Sequence, residues 1–512
     1  MRAYGSVVLM TVLAGAGSAF AQSSPGGSST AVVLPASGRN NQGGSVGATE
    51  QPVAGTTTSI NTLNPSVQIS GPYAGSARST TALPFSGKLS LKEALERGLA
   101  YNLGAVGLVQ AVRQTGAQVT VARSALLPNV NSSVSETVQQ TNLAAMGVRI
   151  TVPGFHIPTV VGPFNYFSLQ ASLSQTVANL TSLNNYRSAR ATARASQYSL
   201  RNARDLITLA VGGAYLGVLA AQARVDAAQA QLDTANAVFH QATEQHRQGV
   251  LGKLNVDQSQ VRTLTQQQQM ITLRNDLAKQ KINLARLTGL APDPGYELTD
   301  SFPFSPAPVA DVDAAVAQAQ RQRADLKAAE SQVDAAAKAL SAARAERLPS
   351  VAVSGDYQVI GTNPAHSHGA FSVVGTVTIP LWQGGRAAGD IAQAEAVLAQ
   401  RRAELEDTRG QVEADVRSAY LDLAATAGQV EVARKNLDVA REALEMSRAR
   451  MEAGVINTVE VVQAQQTVAG AQLDLINSVF AHNLAKLSLA RALGQAAEQV
   501  PSLLKAVAAP AP

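Results

Sequence analysis

The sequence predicts a mainly α-helical, internally duplicated protein: long coiled-coil helices with four strands per chain destined for a transmembrane β-barrel. Three observations predict it. A heptad seam runs unbroken through a long stretch, Ile207, Val211, Ala214, Val218, Ala221, Val225, Ala228, Leu232, Ala235, Phe239, Ala242 and His246, in steps of four and three that keep one face of a helix against partner helices. Four short segments alternate apolar and polar residues with the period of a strand. The second half repeats the first: Tyr215 and Tyr420, Gly249 and Gly454, and Gly289 and Gly494 are each 205 positions apart.

Composition narrows the classes. The 512 residues include no cysteine, 4% aromatics and 15% charged residues, which excludes a disulfide framework, a thiolate metal site and a cysteine nucleophile. The net charge of +5 is small for this length, and Lys and Arg interleave with Asp and Glu along the helices. That pattern marks solvated helix faces, not a nucleic-acid partner.

In chain order, Arg2 precedes an apolar run from Val7 to Leu13 and a small-residue end at Ala19-Phe20-Ala21, so 1–21 reads as a secretory signal peptide. Residues 22–86 are rich in Ser, Gly, Thr and Pro and read as a linker that buries too little apolar surface to order itself. The first repeat, 87–292, opens on Ser90 with Glu93, a capping box, and a helical stripe through Leu91, Leu95, Leu99 and Leu103 towards Ala125, stopped by Pro128.

Val130, Val134 and Val138 then alternate with Asn131, Ser133, Ser135 and Thr137, and Phe167, Leu169, Ala171 and Leu173 with Ser168, Gln170 and Ser172: two strands. A helix from about Leu180 to His246 would run about 100 Å at 1.5 Å per residue. It turns near Gly249 and Gly252 and returns to Leu287.

After a linker, 293–310, the second repeat, 311–495, gives the same order: a helix from Asp311 to Arg347, strands at Val351–Val359 and Phe371–Leu381, and a seam through Val412, Val416, Ala419, Leu423, Val430, Ala433 and Leu437. The tip at Ala453-Gly454-Val455 and a flexible tail, 496–512, complete it. Four strands cannot close a membrane barrel, which needs about eight or more, so several chains share one. Trp382, the single Trp, lies where the fourth strand gives way to helix, as an interfacial anchor or packed between helices.

The chain resembles the TolC-type outer-membrane efflux proteins, the exit ducts of tripartite efflux pumps and type I secretion systems. The resemblance spans about Leu89 to Gly494. It rests on Leu89-Ser90-Leu91-Lys92-Glu93-Ala94-Leu95, on Ile379-Pro380-Leu381-Trp382-Gln383-Gly384-Gly385-Arg386, on Arg450-Met451-Glu452-Ala453-Gly454-Val455 with Val459-Glu460-Val461-Val462-Gln463-Ala464-Gln465, and on the duplication. It implies a homotrimer with a twelve-stranded β-barrel in the lipid of the outer membrane of a Gram-negative bacterium and an α-helical barrel in the periplasm.

It further implies that the tips, Arg247, Gly249, Val250 and Leu251 with Arg450, Gly454, Val455 and Ile456, receive a periplasmic adaptor (membrane fusion protein) linked to an inner-membrane efflux pump or ABC exporter. Glu460 occupies the place of a periplasmic gate carboxylate. Gln463 stands where a second acid is frequent, and the first tip offers Asn255 and Asp257. An ordinary helix-face charge is the alternative for Glu460.

No cofactor or metal site is expected. His366-Ser367-His368 lacks a neighbouring carboxylate or third histidine and reads as a solvated loop. Gly384 and Gly385 lie out of pattern for a phosphate loop and read as the turn between strand and helix. With no catalytic constellation, the chain is not expected to be an enzyme. The competing reading, a structural or adhesive surface coiled coil, fits the heptads alone, but an adhesin carries one terminal anchor, whereas here a strand pair interrupts each half.

Overall fold

The computed structural model describes residues 44–53, 62–77, 85–147, 158–301, 304–305, 311–453, 455 and 458–503. The expected signal peptide lies outside the described residues. The order of elements is β1 (Val46–Val53), β2 (Thr62–Ile69), β3 (Lys88–Leu89), α1 (Leu91–Tyr101), α2 (Leu103–Ser124), β4 (Asn129–Asn142), β5 (Val160–Ala178), α3 (Leu180–Arg247) and α4 (Lys253–Thr288). The second half follows with β6 (Glu297–Leu298), α5 (Val312–Gln322), α6 (Ala324–Ala345), β7 (Ser350–Gly361), β8 (Ser367–Thr378), α7 (Arg386–Glu452), α8 (Thr458–Ala492) and α9 (Ala496–Leu503).

The heptad seams become the buried stripes of the two longest helices. On α3, Ile207, Val211 and Val218 are fully buried; on α7, Val412, Val416, Ala433 and Leu437 are buried in the same register. Each apolar side chain so covered contributes roughly 1.5–3 kcal/mol, and the intervening alanines let neighbouring backbones close up. Near the strands α2 packs on α3, α3 on α6 and α6 on α7; towards the tips α4 packs on α3, α3 on α8 and α8 on α7.

The four long strands form one antiparallel sheet in the order β4-β5-β7-β8. Register aligns the two faces. Val130 pairs with Leu173 and Val134 with Leu169, Leu169 with Val359, and Tyr357 with Phe371 and Val351 with Val377, so the apolar residues share one side. The opposite side holds Ser, Thr, Asn and Gln, with Gln170 donating to Asp356 at 3.3 Å and Gln358 to Ser168 at 3.0 Å. The apolar side is open in a single chain: Val130 is 71% and Phe371 80% exposed. A face of that kind suits lipid, and its polar reverse suits water.

A joint built twice ties strands to tips. The helix expected from Ser90 to Ala125 breaks at Asn102, and the one expected from Asp311 to Arg347 breaks at Arg323. Asn102 caps α2 by accepting from Gly104 N at 2.9 Å and donates to the Tyr73 carbonyl at 2.8 Å. Opposite each break a glycine ends the returning helix in the left-handed region, Gly289 and Gly494, both at φ +74°. A Cβ on Gly289 would lie 2.8 Å from Tyr101 Cβ, and one on Gly494 would lie 3.0 Å from Arg323 Cα. Glycine is required on both counts.

Two expectations are corrected. Part of the expected linker is ordered: β1 and β2 form an antiparallel hairpin whose Val46, with Tyr73 beyond it, joins the core around Leu89, Val211 and Leu484. A polar segment does this with few apolar residues because the helices already supply the other side of the core. Similarly, the expected flexible tail begins with α9, where Ala496 and Val500 are fully buried and Ala497 N donates to Asp205 at 3.1 Å. The inter-repeat linker contributes β6, which pairs in parallel with β3, and Asp300, which accepts from Leu91 N at 2.7 Å and from the Tyr215 hydroxyl at 2.6 Å.

Candidate gate and docking surface at the helical tips

The described residues of the two helical tips share one backbone hydrogen bond. In the first, Val250 N donates back to the Gln245 carbonyl at 2.9 Å; in the second, Val455 N donates to the Arg450 carbonyl at 2.9 Å. Those residues are again 205 apart. Gly249 takes φ +77°, which lets the chain reverse after α3 without strain. His246 Nδ1 lies 2.7 Å from the Leu251 carbonyl, so the last seam residue closes the tip turn. Arg247 pairs with Glu244 at 3.3 Å, near the negative end of the α3 dipole.

The tips present apolar groups to solvent: Val250 is 74% exposed and Val455 66%. Leu251 is half-buried and Arg450 exposed. Gly454 and Ile456 lie outside the described residues. The expected gate residues fall in two pairs, one per tip. Asn255 and Asp257 lie at the start of α4, the first half-buried with its N–H on the Gly252 carbonyl at 3.1 Å and the second exposed. Glu460 and Gln463 lie at the start of α8, both exposed. Glu460 sits in the first helical turn, where a carboxylate is favoured by the N-terminal dipole.

At the other end of the molecule Trp382 is 89% and Leu381 92% exposed, so the indole does not pack between helices of its own chain. Gly384 and Gly385 follow at φ +61° and +86°, and Gly385 caps α7 without a side chain, where Asn179 caps α3 by accepting from Ser182 N at 3.0 Å.

Sequence reasoning missed the ionic clasp at the second joint. Arg323 is buried and donates to Asp325 at 2.5 Å and to Asp415 at 2.7 Å, and Arg491 reaches Asp415 at 2.7 Å. Burial alone would raise both carboxyls. The hydrogen bonds from Arg323 and the charge of Arg491 outweigh it and hold Asp325 and Asp415 below the usual carboxylate range. These partners are separated by up to 168 positions from Arg323 to Arg491, beyond the reach of any local pattern.

The family profile described as "Outer membrane efflux protein" matches residues 108–290 and 315–495, once in each half. The outer membrane protein TolC of Vibrio cholerae is 23% identical over 390 residues, which cover 74% of this chain and 85% of that protein. Among solved structures, a membrane protein from Pseudomonas aeruginosa superposes with a TM-score of 0.68 at 17% identity, covering 81% of this chain and 98% of that one. The Campylobacter jejuni CmeC outer membrane channel does so with a TM-score of 0.68 at 17% identity, covering 79% and 86%. The family profile spans more than two thirds of the sequence and repeats where the fold repeats, and the chain therefore belongs to the outer membrane efflux protein family, as a TolC-like efflux duct of the outer membrane.

Proposed function

We propose that three copies of this chain close into a passive exit duct that an inner-membrane efflux pump or ABC exporter feeds through a periplasmic adaptor seated on the helical tips. One observation carries the reading: both layers of the chain end on unsatisfied edges. The sheet stops at β4 on one side and β8 on the other, with backbone donors and acceptors unpaired. In the helical layer α7 shows solvent a second heptad stripe, Val432, Val439 and Met446, seven residues apart and 55–64% exposed, while α4 at the opposite edge shows Leu254, Val261 and Ile271, 63–70% exposed. The same rotation that pairs β8 with the next β4 brings α7 against the next α4, so further copies of this chain complete both layers together. Twelve strands from three chains give a barrel of ordinary size with a wet interior.

Opening is assigned to the tips, with Glu460 and Gln463 of each chain around the aperture and Asn255 and Asp257 outside them. The lumen face of the strands is mostly Ser, Thr, Asn and Gln, with Asp356 among them, in keeping with a duct whose cargo, small toxic molecules or secreted polypeptides, is selected by the pump. Single-channel conductance in planar bilayers tests the reading: the wild type should show a small, mostly closed conductance, and Glu460→Ala should raise it or weaken its preference for cations. A properly inserted oligomer that conducts in neither form overturns it.

A further inference from the structure

The two helical pairs meet along a seam, and above the tips that seam holds a half-open cleft of about 150 Å³. Its polar lining comes from all four helices: Gln231 of α3, Arg262 and Gln266 of α4, Arg448 of α7, and Gln465 and Gln472 of α8. The rest is aliphatic apart from one threonine, and no carboxylate is among the lining residues. Two cations from opposite pairs thus share one small space. Neither guanidinium has a hydrogen-bond or ion-pair partner among the described residues. Arg262 is half-buried, and burial, its one resolved influence, pushes its pKa down, whereas Arg448 is exposed and reaches the cavity from its rim. A cation withdrawn from water without a counter-charge carries a desolvation cost that an anion would offset.

The lining also selects among anions. Guanidinium forks match oxyanions through paired N–H donors, and the glutamine amides add N–H groups around them. One group has the opposite need: Gln266 Oε1 is a buried acceptor with no partner among the described residues, which an occupant carrying a donor as well as oxygens would satisfy. The volume holds a five-atom oxyanion, given about 30 Å³ for one water in the liquid.

We propose that this cavity is a site for inorganic phosphate, which bridges Arg262 and Arg448 across the seam and donates its O–H to Gln266. At neutral pH both ionic forms of phosphate keep an O–H, whereas sulfate offers acceptors alone. Bound there, phosphate joins the α3–α4 pair to the α7–α8 pair and opposes their separation.

Calorimetric titration of the full-length protein in detergent with phosphate, sulfate and chloride tests this. One phosphate per chain is expected, with sulfate at least tenfold weaker. Arg262→Gln and Arg448→Gln should each weaken phosphate at least tenfold, and Gln266→Leu should weaken phosphate to the level of sulfate. Phenylglyoxal labelling needs no variant: phosphate should slow modification of Arg262 and Arg448 and leave exposed Arg123 unchanged. Absence of phosphate heat, equal binding in the Arg262→Gln/Arg448→Gln double variant, or labelling of both arginines unaffected by phosphate overturns the site. Binding is read without conduction, so either outcome is independent of whether the duct opens at its tips.

Discussion

Arg323 does at the second joint what an amide and a phenol ring do at the first. Its side chain is 3% exposed, and its two carboxylate partners are 23% and 18% exposed. Removing it by Arg323→Met strands half-buried Asp325, while Asp415 keeps Arg491 at 2.7 Å and Gln411 at 2.6 Å, and the expected loss is about 3 kcal/mol, read as a lowered melting temperature in detergent. The sign with pH follows from the depressed carboxyls. Their stabilisation is present above the unfolded carboxylate value of about 4 and is lost as pH falls through the lower folded values. Wild type should therefore lose thermal stability steeply below about pH 4, and Arg323→Met should flatten that acid limb. At the matching glycines, Gly289→Ala and Gly494→Ala should each cost at least about 1–2 kcal/mol, the price of an L-residue in the left-handed region, with Gly289→Ala the worse because Tyr101 Cβ stands in the way.

Elements were legible where the signal is local. The α3 seam reads directly from residues four and three apart, and all of Ile207, Val211 and Val218 are buried as the spacing requires. The four strands read from period two, and the register then places Val134 and Leu169 on one face. That face makes a prediction: Val134→Arg should cost about 2–4 kcal/mol if it meets the bilayer midplane, while Ser133→Arg, on the opposite side, should be tolerated, measured as the yield of folded protein in the outer membrane. Illegible were the helix breaks at Asn102 and Arg323, since both residues have ordinary helical neighbours and break the helix by bonding to distant groups, Tyr73 in one case and Asp415 in the other. The β1–β2 hairpin was hidden for a related reason: a handful of apolar residues such as Val46 suffice when the opposing surface is already built. Of the candidate site, the tips were found by spacing. The seam cavity was not, because Arg262 and Arg448 come together only through packing of four helices.

At the scale of the whole molecule, the exposed stripe on α7 predicts how assembly fails. Val439→Lys places an ammonium in the middle of the apolar heptads at 432, 439 and 446, where a neighbouring chain must seat it unpaired. The variant should fold its helices but elute as a smaller species, a shift that native mass spectrometry or size-exclusion chromatography reads directly. Lys435→Gln, at an exposed residue paired with Glu431 at 2.8 Å, should leave assembly unchanged.

The paired joints have a consequence for how the protein wears. One backbone hinge was copied, and its two descendants are now closed by different materials: a phenol ring and an uncharged amide around Gly289, a lattice of opposite charges around Gly494. Acid acts on the second at the hinge itself; at the first the Arg97–Glu93 pair, 3.0 Å apart, lies back along α1. As the medium acidifies the molecule should come apart lopsidedly, with proteases nicking near α5 and α6 while the N-terminal half is still intact, so that a fossil of gene doubling becomes a line of weakness with a known address.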